Sequence, residues 1–172
     1  GILDLIDIFV VSVKVKKTKK TLKDMENVYL DLKQRFNLQV SFQEFLSEYR
    51  NTLRDVDYFK DISEYEKSLK DKCFIGVLSN LCIMDKERID KQLNLDEYDY
   101  VFLSYELGMR KPNKEIYEYV INHVPFEKEN ILFLDDAIKN INAALDVGIK
   151  AKQVNGYDLD YIKSCVNEFL NE

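Results

Sequence analysis

Short apolar runs alternate with stretches of helical spacing along the second half of the chain. The apolar runs are continuous over four or more residues, which is typical of strands buried on both faces. They predict strands at 73–78, 100–103 and 131–134, and the alternation of strands with helices predicts a last short strand at 150–154. The intervening three- and four-residue spacings predict helices at 85–93, 113–124, 137–148 and 158–170. Strands alternating with helices of this length favour right-handed crossovers. The pattern therefore predicts an α/β fold with a parallel sheet in a three-layer, Rossmann-like arrangement.

The first half of the chain has a different pattern, with one apolar run followed by helical spacing. The apolar run Ile8–Val11 predicts an early strand within residues 1–13, and helical spacing predicts a helix from Thr21 to about Phe36. Ser41 and Glu44 have the spacing of a capping box that opens a second helix. The pair Ser63 and Glu66 has the same spacing and predicts the start of a short helix that ends near residue 71.

Five lysines occur between Lys14 and Lys20. So many like charges do not suit a buried segment, so we interpret the run as a solvated connector. The alternative is a patch that binds a phosphate or an acidic partner.

Two adjacent carboxylates, Asp135 and Asp136, follow the apolar run 131–134. Ligands of open α/β sheets bind beyond the carboxyl ends of the strands, where these side chains would project. Two neighbouring anions repel unless a cation lies between them, and hard oxygen ligands suit Mg²⁺. The alternative is that one aspartate caps the next helix and the other is a solvated turn residue.

Polar side chains also follow two other predicted strands. Ser79 and Asn80 come after the strand at 73–78 and offer a hydroxyl and an amide to phosphoryl oxygens. Lys111 stands directly before Pro112 at the predicted start of a helix, where backbone N–H groups already favour an anion. If the sheet is parallel, all three strand ends meet at one edge.

Composition narrows the function classes. The 172 residues include 31 acids and 25 bases, and the net charge of −6 argues against nucleic acid or an anionic membrane as the main partner. Three cysteines and no apolar stretch of membrane-spanning length favour a reduced, cytoplasmic protein. His123 is the single histidine, so a multi-histidine metal site is excluded, and we expect it to be an ordinary helix-end residue.

The segments LSN at 78–80, RKPNKEIY at 110–117 and LDDAIKNINAALDVG at 134–148, in this order, resemble three motifs of the haloacid dehalogenase superfamily. Within it, the chain is most similar to the branch of sugar phosphatases and epoxide-hydrolase-associated phosphatases. The resemblance covers about residues 41–156. It implies a core of residues 1–13 and 61–172 and a small helical cap of residues 14–60.

The resemblance also implies a Mg²⁺-dependent phosphatase of a small phosphorylated metabolite that forms an aspartyl-phosphate. Ser79 and Asn80 would bind the phosphoryl group, and Lys111 would neutralise charge on the nucleophile and on the phosphate. Asp135 and Asp136 would hold Mg²⁺. This short set suits the reaction, because phosphoryl transfer depends mainly on positioning and charge neutralisation.

The first motif departs from the family pattern, which places a nucleophilic aspartate directly after the central strand. Asp4 can be aligned with that nucleophile, where it would also bind the metal, but Ile6 then replaces the expected second acid or glycine. In the other register, residues 5–13 form the central strand between those that end at Ser79 and Asp135, and its carboxyl end carries no acid. We slightly favour this second register, because Ile8–Val13 is apolar enough for a doubly buried position.

Two functions therefore stay open. The first is a phosphatase with Asp4 as the attacking group. The second is a degenerate family member that binds a phosphate or a protein partner without turnover. The identity of the substrate and the oligomeric state are not predicted by the sequence.

Overall fold

The computed structural model describes residues 8–9, 22–52, 59–85, 89, 94–155 and 158–172. Its five strands are β1 (Ile8–Phe9), β2 (Gly76–Ser79), β3 (Tyr100–Leu103), β4 (Leu132–Asp135) and β5 (Lys150–Gln153). Its helices are α1 (Leu22–Phe36), α2 (Phe42–Thr52), α3 (Phe59–Leu69), α4 (Ser104–Leu107), α5 (Lys114–Asn122), α6 (Ile138–Asp146) and α7 (Leu159–Leu170). The predicted strands after residue 72 are all present, with boundaries shifted by up to three residues. Most of the predicted helix at 85–93 lies outside the described residues. Within this range, the described residue Ile89 is helical.

The strands form one sheet in the order β3-β2-β1-β4-β5. The pairs β2–β3 and β4–β5 are parallel. Helices cover both faces, and β4 shows how its side chains divide: Phe133 packs in the core with α5 and α6, whereas Leu132 and Leu134 pack in the core with α3 and α7. The predicted three-layer α/β class is therefore confirmed.

Strand β1 occupies the predicted central position between β2 and β4, but its direction differs from the prediction. It is antiparallel to both neighbours, with Ile8 opposite Val77 and Phe9 opposite Gly76 and Phe133. The carboxyl end of β1 thus points to the edge of the sheet opposite Ser79 and Asp135. An apolar run can specify a buried position, but it does not specify the direction of a strand.

Helices α1 and α2 pack on each other and on the segment that follows β2. Met25 and Leu46 are buried together with Ile83. The predicted capping box at the start of α2 is confirmed, because the Ser41 backbone N–H donates to Glu44 Oε2 (2.7 Å) and the Glu44 N–H donates to Ser41 Oγ (3.3 Å). The lysine run at 14–20 lies outside the described residues.

The second predicted capping box is wrong. Helix α3 already begins at Phe59, so Ser63 lies inside the helix rather than at its start. The Glu66 side chain is buried and accepts a hydrogen bond from the Tyr98 hydroxyl at 2.6 Å. Glu66 therefore belongs to the buried face of α3 and does not cap the start of the helix.

His123 is the C-terminal cap residue of α5, as expected. Within the described ranges, no helix is both long and apolar enough to cross a membrane.

Candidate functional site

The site lies at one edge of the sheet, where two strands end in polar residues. Ser79 is the last residue of β2 and Asp135 is the last residue of β4. Both strands run antiparallel to β1 between them and are therefore parallel to each other. Their carboxyl ends accordingly meet at the same edge, as the sequence predicted.

Lys111 and Asp135 form a buried ion pair at this edge. The distance from Lys111 Nζ to Asp135 Oδ2 is 2.9 Å, and the two side chains are 0% and 1% exposed. The ammonium also lies 5.5 Å from the centroid of the Phe133 ring. Desolvating two charges costs free energy that the pairing has to offset, so a pair of this kind is weak support for stability. Its place at the carboxyl ends of the strands makes it a candidate for function.

Two further donors hold the Asp135 carboxylate. The Ala137 backbone N–H donates to Oδ1 at 2.7 Å, and Asn140 Nδ2 donates to Oδ2 at 2.8 Å. Together with Lys111, they fix the orientation of the carboxylate. Ala137 occupies the N-cap position of α6 and makes no side-chain cap hydrogen bond, so neither aspartate is the N-cap residue.

Asn80 joins the end of β2 to the loop that carries Lys111. Its Nδ2 donates to the Lys111 carbonyl oxygen and its Oδ1 accepts from the Lys111 N–H, each at 2.8 Å. The peptide bond between Lys111 and Pro112 is cis. Asn80, Lys111 and Asp135 are thus connected by direct contacts.

Ser79 presents a hydroxyl at the same edge. The residue is 0% exposed, and within the described part of the chain its Oγ has no hydrogen-bond partner. A buried hydroxyl without a partner carries a desolvation cost, so it is a candidate for contact with a ligand oxygen.

Asp136 is half-buried beside Asp135, and its backbone carbonyl accepts a hydrogen bond from Gln153 Nε2 at 2.8 Å. The carboxylates of Asp135 and Asp136 are hard-oxygen groups next to each other at the end of β4, and such ligands suit Mg²⁺. The described residues contain no cluster of three or more His, Cys, Asp or Glu side chains that could hold a metal alone.

Tyr117 of α5 supports the base of the site. Its hydroxyl donates to the Asn140 carbonyl oxygen at 3.0 Å, and its ring meets the Phe133 ring edge-on with centroids 5.6 Å apart. Burial, followed by the charge of Asp135, raises the pKa of Tyr117. The phenol therefore stays protonated and remains a donor.

Asn140 is not among the residues that the sequence predicted for the site. Ile138 and Leu145 are 53% and 51% exposed, whereas Asn140 is buried on the same face as Ile141 and Ala144. The sequence does contain a signal for Asn140. It lies four residues before Ala144 and therefore on the same face of the helix, which makes it a polar residue on the buried face. Asp4 lies outside the described residues.

The sequence model of the family described as haloacid dehalogenase-like hydrolase matches residues 4–154. A D-ribitol-5-phosphate phosphatase of Bacteroides thetaiotaomicron is 32% identical over 108 residues, which are 62% of this chain and 52% of the relative. A sesquiterpene phosphatase of Aspergillus oryzae is 39% identical over 54 residues, which are 31% of this chain and 28% of the relative. The chain thus spans about half or less of the length of these curated relatives.

Among solved structures, the fold resembles a haloacid dehalogenase family enzyme of Bacteroides thetaiotaomicron that was crystallised with magnesium and inorganic phosphate. The TM-score is 0.66 at 21% identity, and the match covers 77% of this chain and 69% of the other. Since the family model covers most of the sequence and the fold agrees with it, the chain belongs to the haloacid dehalogenase-like hydrolase family.

Proposed function

We propose that the protein is a Mg²⁺-dependent phosphatase of a small phosphorylated metabolite. The observation that carries the proposal is the arrangement at the edge of the sheet. The buried Lys111–Asp135 pair lies at the end of β4, and the Ser79 hydroxyl, which has no partner among the described residues, lies at the end of β2 on the other side of β1. A phosphate dianion requires positive charge and hydrogen-bond donors in one place. Lys111 offers the charge and Ser79 offers a donor.

Each residue of the site has a proposed role. The Ser79 hydroxyl would donate to a phosphoryl oxygen, and Lys111 would neutralise negative charge on the phosphate and on the attacking carboxylate. Asp135 and Asp136 would hold Mg²⁺. When bound, the ion supplies electrostatic stabilisation to the phosphoryl oxygens.

The attacking carboxylate in this proposal is Asp4, which would form the aspartyl-phosphate and also face the metal. Asp4 is the first residue matched by the family model. We further propose that residues 14–60 form the cap over a core of residues 1–13 and 61–172. The packing of α1 and α2 on Ile83, four residues after Ser79, supports this division.

Sugar and sugar-alcohol phosphates are the substrate class to test first. A relative that is 32% identical over 62% of this chain is named for the hydrolysis of D-ribitol 5-phosphate. The sesquiterpene phosphatase shares a shorter segment, 31% of this chain, and so gives weaker support for an apolar substrate.

The proposal is tested by measuring phosphate release from ribitol 5-phosphate and a panel of pentose and hexose phosphates, with and without Mg²⁺. We expect metal-dependent release that Lys111→Met and Asp4→Asn abolish and that Lys114→Met preserves, since Lys114 is exposed in a surface ion pair. Metal-dependent release that persists in Lys111→Met would contradict the assignment of Lys111.

A second candidate function is phosphate binding without turnover. The observation that favours it is the direction of β1, whose carboxyl end lies at the edge opposite Ser79 and Asp135. The family pattern would place the nucleophile at that end. Binding of inorganic phosphate in the presence of Mg²⁺, with no release from any ester of the panel, would select this function over the first.

A further inference from the structure

We propose that Asn80 is a positioning residue for Lys111 rather than a ligand of the phosphate. The inference deepens the proposed function and rests on it for the identity of the ligand. It also changes the role that the sequence suggested for Asn80, which was to bind the phosphoryl group together with Ser79.

The geometry of the Asn80 amide carries the proposal. The side chain makes two hydrogen bonds of 2.8 Å to the backbone of one residue, donating to the Lys111 carbonyl oxygen and accepting from the Lys111 N–H. The reverse orientation of the amide would set donor against donor and acceptor against acceptor, so the pairing fixes the side chain. Asn80 therefore holds a residue 31 positions away at both of its backbone polar groups.

These two hydrogen bonds fix the position of the Lys111 backbone, from which the side chain extends. The ammonium has to reach Asp135 Oδ2, 2.9 Å away, inside a space in which the Lys111 side chain is 0% exposed. A long side chain in such a closed space cannot compensate for a displaced backbone by choosing another rotamer. Misplacement of a charged group by about 1 Å can cost roughly a hundredfold in rate.

Ser79 and Asn80 are adjacent but differ in their contacts. The Ser79 hydroxyl has no partner within the described residues, whereas both functional groups of the Asn80 amide contact Lys111. Only one Nδ2 hydrogen of Asn80 remains for any other acceptor. The competing role, direct contact with phosphate through that hydrogen, makes a different prediction for experiment.

The first test needs no ligand. Acylation of lysines by an N-hydroxysuccinimide ester, followed by mass spectrometry, gives the reactivity of Lys111 relative to Lys114, whose side chain is 65% exposed. In Asn80→Ala we expect Lys111 to react about 25-fold faster than in the wild type, the change expected for the loss of two ordinary hydrogen bonds. Asn80→Asp sets a carboxylate oxygen against the Lys111 carbonyl oxygen, so Lys111 should react at least as fast as in Asn80→Ala.

Asn113→Ala is the matched control, because Asn113 is exposed, lies two residues from Lys111 and makes no side-chain cap hydrogen bond. In Asn113→Ala, Lys111 should react with the ester at the same rate as in the wild type. Unchanged reactivity of Lys111 in folded Asn80→Ala would overturn the proposal. If Asn80→Ala does not fold by circular dichroism, Asn80→Ser is measured in the same way and judged by the same criterion.

The second test is a double-mutant cycle on the binding of inorganic phosphate in the presence of Mg²⁺. If Asn80 acts through Lys111, Asn80→Ala weakens binding about tenfold in the wild type and less than about twofold in Lys111→Met. Equal effects in both backgrounds would mean that Asn80 contacts phosphate itself and would overturn the proposal. If the wild type binds no phosphate, the proposed function fails, while the acylation test still decides the role of Asn80.

Discussion

The central residues of the site are a lysine and an aspartate that face each other away from solvent. A buried pair of this kind contributes little net stability while intact, but removal of one partner leaves an uncompensated charge. Lys111 and Asp135 are therefore expected to be sensitive to single substitutions. In the proposed function, the fixed position of the ammonium would place positive charge at the phosphate site before the ligand binds.

Lys111→Met should destabilise the fold by about 3 kcal/mol, because Asp135 remains as a buried charge without its cation. Asp135→Asn added to this variant should recover at least about 1 kcal/mol by removing that charge. Urea unfolding monitored by circular dichroism measures both values. Lys114→Met, at an exposed pair, should change stability by less than about 1 kcal/mol. Equal costs for Lys111→Met and Lys114→Met would show that the Lys111–Asp135 pair is not buried in solution.

A second buried acid, Glu66, gives the fold a pH dependence remote from the site. Glu66 is 5% exposed, and burial is the main cause that raises its pKa from 4.5 to about 7, against the opposing effect of the hydrogen bond from Tyr98. The folded state therefore binds more protons than the unfolded chain between these two pH values. Stability contributed by the protonated form is complete below pH 4.5 and is lost as the pH rises through 7.

Glu66→Gln should remove most of this pH dependence. The wild type should lose up to about 3 kcal/mol of unfolding free energy between pH 4.5 and pH 8 from this group, and the variant should lose correspondingly less. Urea unfolding at a series of pH values measures the difference. Glu64→Gln, which changes an exposed acid on the same helix, should follow the wild-type curve. Parallel curves for the wild type and Glu66→Gln would rule out the raised pKa.

At the scale of elements, α2 is attached to the segment that follows the Ser79–Asn80 corner. The Tyr49 hydroxyl donates to Asp85 Oδ1 at 2.5 Å, and Asp85 Oδ2 accepts from the Cys82 N–H at 3.1 Å. The Ser104 hydroxyl holds the same segment through the Leu81 carbonyl oxygen at 3.1 Å. The helical insertion is therefore in direct contact with the segment that continues from the site.

Tyr49→Phe should increase amide hydrogen exchange in residues 81–85 by roughly fivefold, because one ordinary hydrogen bond contributes about 1 kcal/mol to local stability. Exchange followed by mass spectrometry resolves this segment. Tyr29→Phe is the control, since the Tyr29 hydroxyl donates to the Val40 carbonyl oxygen within the insertion and does not reach the core. Equal exchange in the two variants would mean that α2 does not stabilise the segment through Tyr49.

The elements were predicted with unequal success. Continuous apolar runs identified β2, β3 and β4, because buried strands leave a strong signal. Strand β5 contains two lysines and a glutamine, and it was predicted from the alternation of strands with helices. The start of α3 was missed, since the Ser63–Glu66 spacing imitates a cap when Glu66 in fact faces inward. The direction of β1 depends on how the chain connects to the sheet, and a short apolar run contains no such information.

At the scale of the whole molecule, the sequence predicted which strand ends meet. Ser79, Lys111, Asp135 and Asp136 could be proposed from the sequence because each follows or adjoins a recognisable strand or helix start. The contact of Asn140 with Asp135 was not predicted, and neither were the contacts of Asn80 with the Lys111 backbone. Both form between separate elements of the fold. Patterns along the chain predict which elements form, whereas the hydrogen bonds between them appear only after folding.

The account depends on Ser79, Lys111 and the paired aspartates forming one phosphate site. Calorimetric titration of inorganic phosphate in the presence of Mg²⁺ into the wild type and Ser79→Ala tests this directly. Removal of an unpartnered hydroxyl should leave folding intact, and Ser68→Ala controls for a serine on the exposed side of α3. We predict binding by the wild type and Ser68→Ala, and at least about tenfold weaker binding by Ser79→Ala. Equal phosphate affinity in all three proteins, or no binding by any, would contradict the account.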